Sequence, residues 1–112
     1  MPRKKADEVA EGIYLDPVPV TFGEELKIKY KGLLAESAAG KVYFHAGYGQ
    51  GPWEKVIDVP MKKTRDGGWS VTIQVEEPSN LNFCFRDDAE NWDNNAGRNW
   101  SYQVHSESNI AQ

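Results

Sequence analysis

Two tryptophans stand where tryptophan is hard to bury. Trp92 lies in the run Asn-Trp-Asp-Asn-Asn-Ala-Gly-Arg-Asn-Trp at residues 91–100, and Trp53 follows Gly47, Gly49, Gly51 and Pro52. Asn, Asp and Gly favour turns and tolerate positive φ, so both stretches read as loops. An indole held in such a loop offers an exposed flat face beside amides and backbone groups. That pairing suits a neutral sugar. The axial C–H bonds of a pyranose pack on the ring, while its equatorial hydroxyls need donors and acceptors such as Asn, Asp and His. Two alternatives stay open on the residues alone: either indole could fold back as a loop anchor, or the pair could form a hot spot for a protein partner in an adaptor domain. Asn and Gly richness around both favours a hydroxyl-rich ligand over an apolar groove.

Catalysis on a glycan needs two carboxylates opposed across the scissile bond. Asp87, Asp88, Glu90 and Asp93 cluster, but no second cluster opposes them. Four carboxylates in one polar loop read as a solvated turn, and the chain is expected to be a binder and not an enzyme. Asp87, Asp88 and Asp93 offer hard oxygen ligands of the kind calcium takes, at a spacing unlike the EF-hand loop, so no cofactor or metal is assigned. The single Cys84 sits in Phe-Cys-Phe with no adjacent base and reads as a packed thiol.

At 112 residues the chain suits one domain with one core. A net charge of −4 and a pI of about 5.1 argue against a protein that tracks phosphate backbones. No apolar run approaches the ~20 residues of a membrane span, and the charged start is not followed by a signal-type apolar segment. Neither nucleic acid nor membrane is an expected partner. The location expected is cytoplasmic for a complete natural product, and open for a module cut from a larger secreted enzyme.

The elements that must carry these loops read as strands. Residues 25–31 and 69–75 alternate apolar and polar with period two, and residues 41–48, 53–59, 81–86 and 100–104 are rich in β-branched and aromatic side chains. Residues 13–22, broken by prolines, suit extended edge segments. Asp66-Gly67 between two strand patterns signals a hairpin. Seven short strands and no helix predict an all-β, antiparallel immunoglobulin-like β-sandwich. Its expected bounds are residues 13–105, with a flexible N-terminal arm over 1–12 and a polar tail over 106–112. By phase, Trp69 belongs with Val71, Ile73 and Val75 on the core face, and Trp100 with Tyr102 and Val104. His45, taken alone, is a strand residue whose ring faces solvent or a backbone carbonyl.

Together, Val42-Tyr43-Phe44-His45-Ala46-Gly47-Tyr48 running to Trp53, then Met61, the Asp-Gly-Gly-Trp turn ending at Trp69, and Leu81-Asn82-Phe83-Cys84-Phe85 leading to Asn91-Trp92-Asp93-Asn94-Asn95 resemble family 25 starch-binding carbohydrate-binding modules and the related family 53. The likeness spans about residues 41–104. It implies a sandwich that binds α-glucan (starch, glycogen or maltooligosaccharides) without cleaving it. The site implied is His45, Trp53 and Trp92, with His45 and Asn94 or Asn95 bonding sugar hydroxyls. Where the family often has Tyr near the loop's end, this chain has Trp100. A glycoside hydrolase, in the same or another chain, is the companion the resemblance implies.

Overall fold

Period-two alternation decides which face of each strand is buried. In Glu25–Tyr30 the residues Leu26, Ile28 and Tyr30 are buried while the intervening lysines turn outward. The computed structural model describes residues 5–36 and 40–106. Within them the strands are β1 (Lys5–Ala10), β2 (Ile13–Val18), β3 (Glu25–Tyr30), β4 (Val42–Tyr48), β5 (Glu54–Pro60), β6 (Lys62–Lys63), β7 (Trp69–Gln74), β8 (Leu81–Asp87), β9 (Trp92–Asp93) and β10 (Trp100–Tyr102), with one helical turn, α1 (Leu33–Glu36). One sheet runs β1-β2-β3-β7-β6, and the other runs β10-β8-β4-β5 with β9 on β8. Every strand pairing is antiparallel.

Between the sheets lies an aromatic core. Tyr30 stacks on Phe85 with ring centroids 4.0 Å apart, and Phe44 and Phe83 tilt against each other at 5.2 Å. All four rings are fully buried, each contributing roughly 1.5–3 kcal/mol by removal from water. Trp69 is buried and Trp100 and Tyr102 pack against the same core, as their phase predicts.

The seven expected strands are present in a two-sheet sandwich, and the departures are local. The arm expected over residues 1–12 is strand β1 from Lys5 to Ala10, paired with β2; residues 1–4 lie outside those described. Val9 and Ala10 pack against the core, enough apolar anchorage for an otherwise charged edge strand. Consequently β2 is interior to its sheet and not an edge, its prolines falling beyond the stretch that pairs with β3 at residues 13–16. The turn α1, unforeseen among small residues, is fixed by buried Leu34, whose N–H donates to Tyr30 Oη at 2.9 Å. Of the tail over 106–112, only Ser106 is described. Ahead of it, His105 donates its N–H to Val20 O and accepts from Phe22 N–H, each at 2.8 Å.

Candidate functional site

The outer face of the second sheet is assembled by register. Antiparallel pairing sets His45 of β4 opposite Cys84 of β8 and Asp58 of β5, Tyr43 opposite Arg86, and Gly47 opposite Asn82. β9 pairs Trp92 with Arg86 on the far edge of β8. Because paired residues project to the same face, Tyr43, His45, Cys84, Arg86, Asp58 and Trp92 share one surface.

On that surface three rings meet. His45 lies 5.3 Å from Trp92 in an edge-on arrangement and 5.9 Å from Trp53. Trp92 is 44% exposed, the value that makes it a surface ring and not a loop anchor, and Trp53 is half-buried. Gly47 explains how Trp53 gets there. A Cβ on Gly47 would stand 2.6 Å from Trp53 Cβ, so only glycine lets the indole lie on the strand. A register shift between Ala46 and Tyr48 marks a bulge at the same point. Asn82 secures the turn from behind, donating from Nδ2 to Gly49 O at 2.8 Å and accepting from Ser101 Oγ at 2.7 Å.

Beside the rings runs a charge network that the sequence did not disclose. Arg86 grips Asp58 through Nε at 3.0 Å and through Nη2, and its guanidinium lies 4.1 Å from the Tyr43 ring centre. The hydrogen bonds from Arg86 hold the Asp58 carboxyl below its ordinary range against an opposing effect of burial, with His45 adding to the lowering. An ionised carboxylate only accepts. Asp58 Oδ1 stands 3.1 Å from His45 Nδ1, so Nδ1 carries the proton and a neutral His45 keeps Nε2 as an acceptor. Nothing in residues 54–60 flags Asp58 before the β4–β5 register is known.

Asn94 and Asn95 are placed differently from the three rings. Asn94 Oδ1 accepts from Gly97 N–H at 2.9 Å, and Asn95 Nδ2 donates to Asn99 O at 3.0 Å. Asn95, Ala96, Gly97 and Asn99 all have positive φ. Much of the amide richness therefore builds the turn itself. Asn94 keeps its NH2 to offer, and Asn95 lines a cleft on the inner side of the loop.

The clustered carboxylates also serve the loop. Asp87 accepts at Oδ1 from Ala89 and Asn91 N–H, at 2.9 and 2.8 Å, and at Oδ2 from Asn91 Nδ2 at 3.0 Å. The bonds from Asn91 hold its carboxyl below the usual range. Asp93 accepts from Tyr30 Oη, tying the base of the loop to the core. Among the described residues no group of three His, Cys, Asp or Glu side chains is set to hold a metal ion. Cys84 is buried but belongs to the outer face, beneath the site, and burial pushes its thiol up to about 11. The surface therefore offers stacking planes and hydrogen-bond groups, and no activated nucleophile.

A family model for starch/carbohydrate-binding modules, family 53, matches residues 26–83. That span includes His45, Trp53, Asp58 and Gly47 and stops before Trp92. Among solved structures, an iodinated family 25 carbohydrate-binding module from a Bacillus halodurans amylase is similar: 31% identity, TM-score 0.54, covering 75% of this chain and 87% of that one. No curated protein matches.

Proposed function

This chain belongs to the family 53 starch/carbohydrate-binding modules, and from that premise we propose that it binds α-1,4-linked glucan on the outer face of the β10-β8-β4-β5 sheet. Carbohydrate binding without catalysis follows from membership; the choice of glucan and of contact residues is the reading argued from geometry. The observation that carries it is the grouping of Trp53 and Trp92 around His45 at 5.9 and 5.3 Å.

In this reading each indole takes one sugar face, and the bend of an α-linked chain follows the two rings. His45 Nε2 accepts from a sugar hydroxyl, its tautomer set by Asp58. Asn94 donates from its free amide, and Asn95 serves the outer site by holding the turn. A shallow site of this kind binds weakly, because few interactions offset the cost of association. Tethering to a glycoside hydrolase, as in the amylase that carries the similar module, would raise the effective concentration.

The test is binding of soluble starch, maltoheptaose and cellulose, read by Trp fluorescence and by retardation in glucan-containing gels. Response to both α-glucans and none to cellulose supports the reading. Response to a protein partner with none to either α-glucan would turn these rings into a protein hot spot.

A further inference from the structure

Behind the Trp92 loop lies a cleft of about 940 Å³, lined by residues of both sheets but by neither His45 nor Trp92. One wall is the inner side of residues 93–102. The other is the β1–β2 turn at Gly12 with the end of β3. Trp100 and Tyr102 of β10 line it, in offset stacks with Phe83 at centroid distances of 6.1 and 5.9 Å and interplanar angles of 21° and 25°. Tyr14 lines the opposite wall.

These three rings are half-buried. Among the described residues none of their polar handles, the Trp100 indole N–H and the Tyr14 and Tyr102 hydroxyls, has a protein partner. Among the described residues no side-chain N or O is both buried and unpaired, so these three handles are open to solvent and free for a ligand to take. Glu8, Glu11, Asp93, Lys31 and Arg98 also line it, so cationic and anionic groups are both present and no single sign of charge dominates. The volume lies in the range of ligand sites, roughly 300–1,000 Å³.

We infer that this cleft is a second binding site, for a neutral oligosaccharide. Half-exposed flat rings with unpaired donors at their edges suit a pyranose, whereas a charged ligand would meet groups of its own sign. The Trp92 loop is the partition, with Trp92 on the outer surface and Asp93, Asn95 and Asn99 on the cleft wall. A chain held on the outer face could thus have its neighbour held on the other side of the same loop. The ligand class rests on the proposed function; the location does not.

The experiment is a ¹⁵N NMR titration with maltoheptaose of the parent and of a Trp53→Ala/Trp92→Ala variant, which removes both outer planes. The expected result for the variant is retained shifts at the Trp100 indole N–H and at the amides of residues 98–102 and 12–14, saturating at millimolar ligand. Adding Arg98→Ala and Tyr14→Ala should weaken those shifts at least threefold. The parent should show the same cleft shifts together with a second set at residues 45, 53 and 92. Parent shifts confined to the outer face overturn the second site and leave the proposed function standing. Cleft shifts in the parent without response at His45 or Trp92 overturn the outer site and keep the cleft. Silence at both places overturns both.

Discussion

Trp53 lies directly on Gly47, so close that a methyl group on the glycine would stand 2.6 Å from the Trp53 Cβ. Two residues six apart in sequence thereby set one wall of the site. Gly47→Ala should leave the core intact, because the three atoms nearest the added carbon all belong to Trp53, and should lift the indole from its plane. We expect maltoheptaose affinity to fall about tenfold, the equivalent of ~1.4 kcal/mol, with a far-UV spectrum like that of the parent. Unchanged affinity would mean that Trp53 is not a platform.

Asp58 predicts a tautomer. The neutral form of parent His45 should show a protonated Nδ1 and an unprotonated Nε2 in long-range ¹⁵N spectra. Asp58→Asn can donate to Nδ1 and so admits the other tautomer, turning Nε2 into a donor. Binding should weaken by about fivefold or more, ~1 kcal/mol, without loss of fold. A variant that binds as the parent does would remove Asp58 from the account.

The same carboxylate has a pH signature. Its native value is lowered by Arg86, so its contribution to stability is complete above the unfolded value of about 3.9 and is lost as pH falls through the native value, below that. Thermal melts from pH 6 to pH 2 should show the gap between parent and Asp58→Asn narrowing progressively once pH falls below the unfolded value of about 3.9. Because Asp66 and Asp87 titrate in both proteins, the difference between the curves isolates Asp58. A gap that stays constant across the whole range would contradict the assignment.

Cys84 should resist thiol reagents at pH 8 in the folded protein and react at once after denaturation, since burial pushes the thiol up to about 11 and leaves it 4% exposed. If Cys84 reacts rapidly in the native state, the surface above it is not packed as described.

How far the sequence reached can be read from particular residues. Trp69 and Trp100 were placed by strand phase alone, and Trp92 by the turn chemistry around it, because alternation and φ > 0 preferences are local properties. Asp58 and Arg86 were invisible for the opposite reason. Their meeting depends on two strand registers across β4, and a slip of one residue would send each to the other face. β1 was missed since Val9 and Ala10 give too little periodicity to outweigh six flanking charges in residues 1–12. Asn94 and Asn95 drew attention as sugar contacts, while the positive φ at Asn95 and the bonds within the loop give part of their amide capacity to the turn. The cleft behind the loop left no trace in sequence, because its walls come from residues about sixty or more positions apart.

The most direct test of the central claim is isothermal titration of maltoheptaose into the parent and into Trp53→Ala and Trp92→Ala separately, with cellohexaose as the control ligand. The account predicts a micromolar-to-millimolar α-glucan response in the parent, at least a tenfold loss, ~1.4 kcal/mol, in each single variant, and no heat with the β-linked control. Equal binding by the parent and both variants, or binding of cellohexaose as tight as that of maltoheptaose, would contradict it.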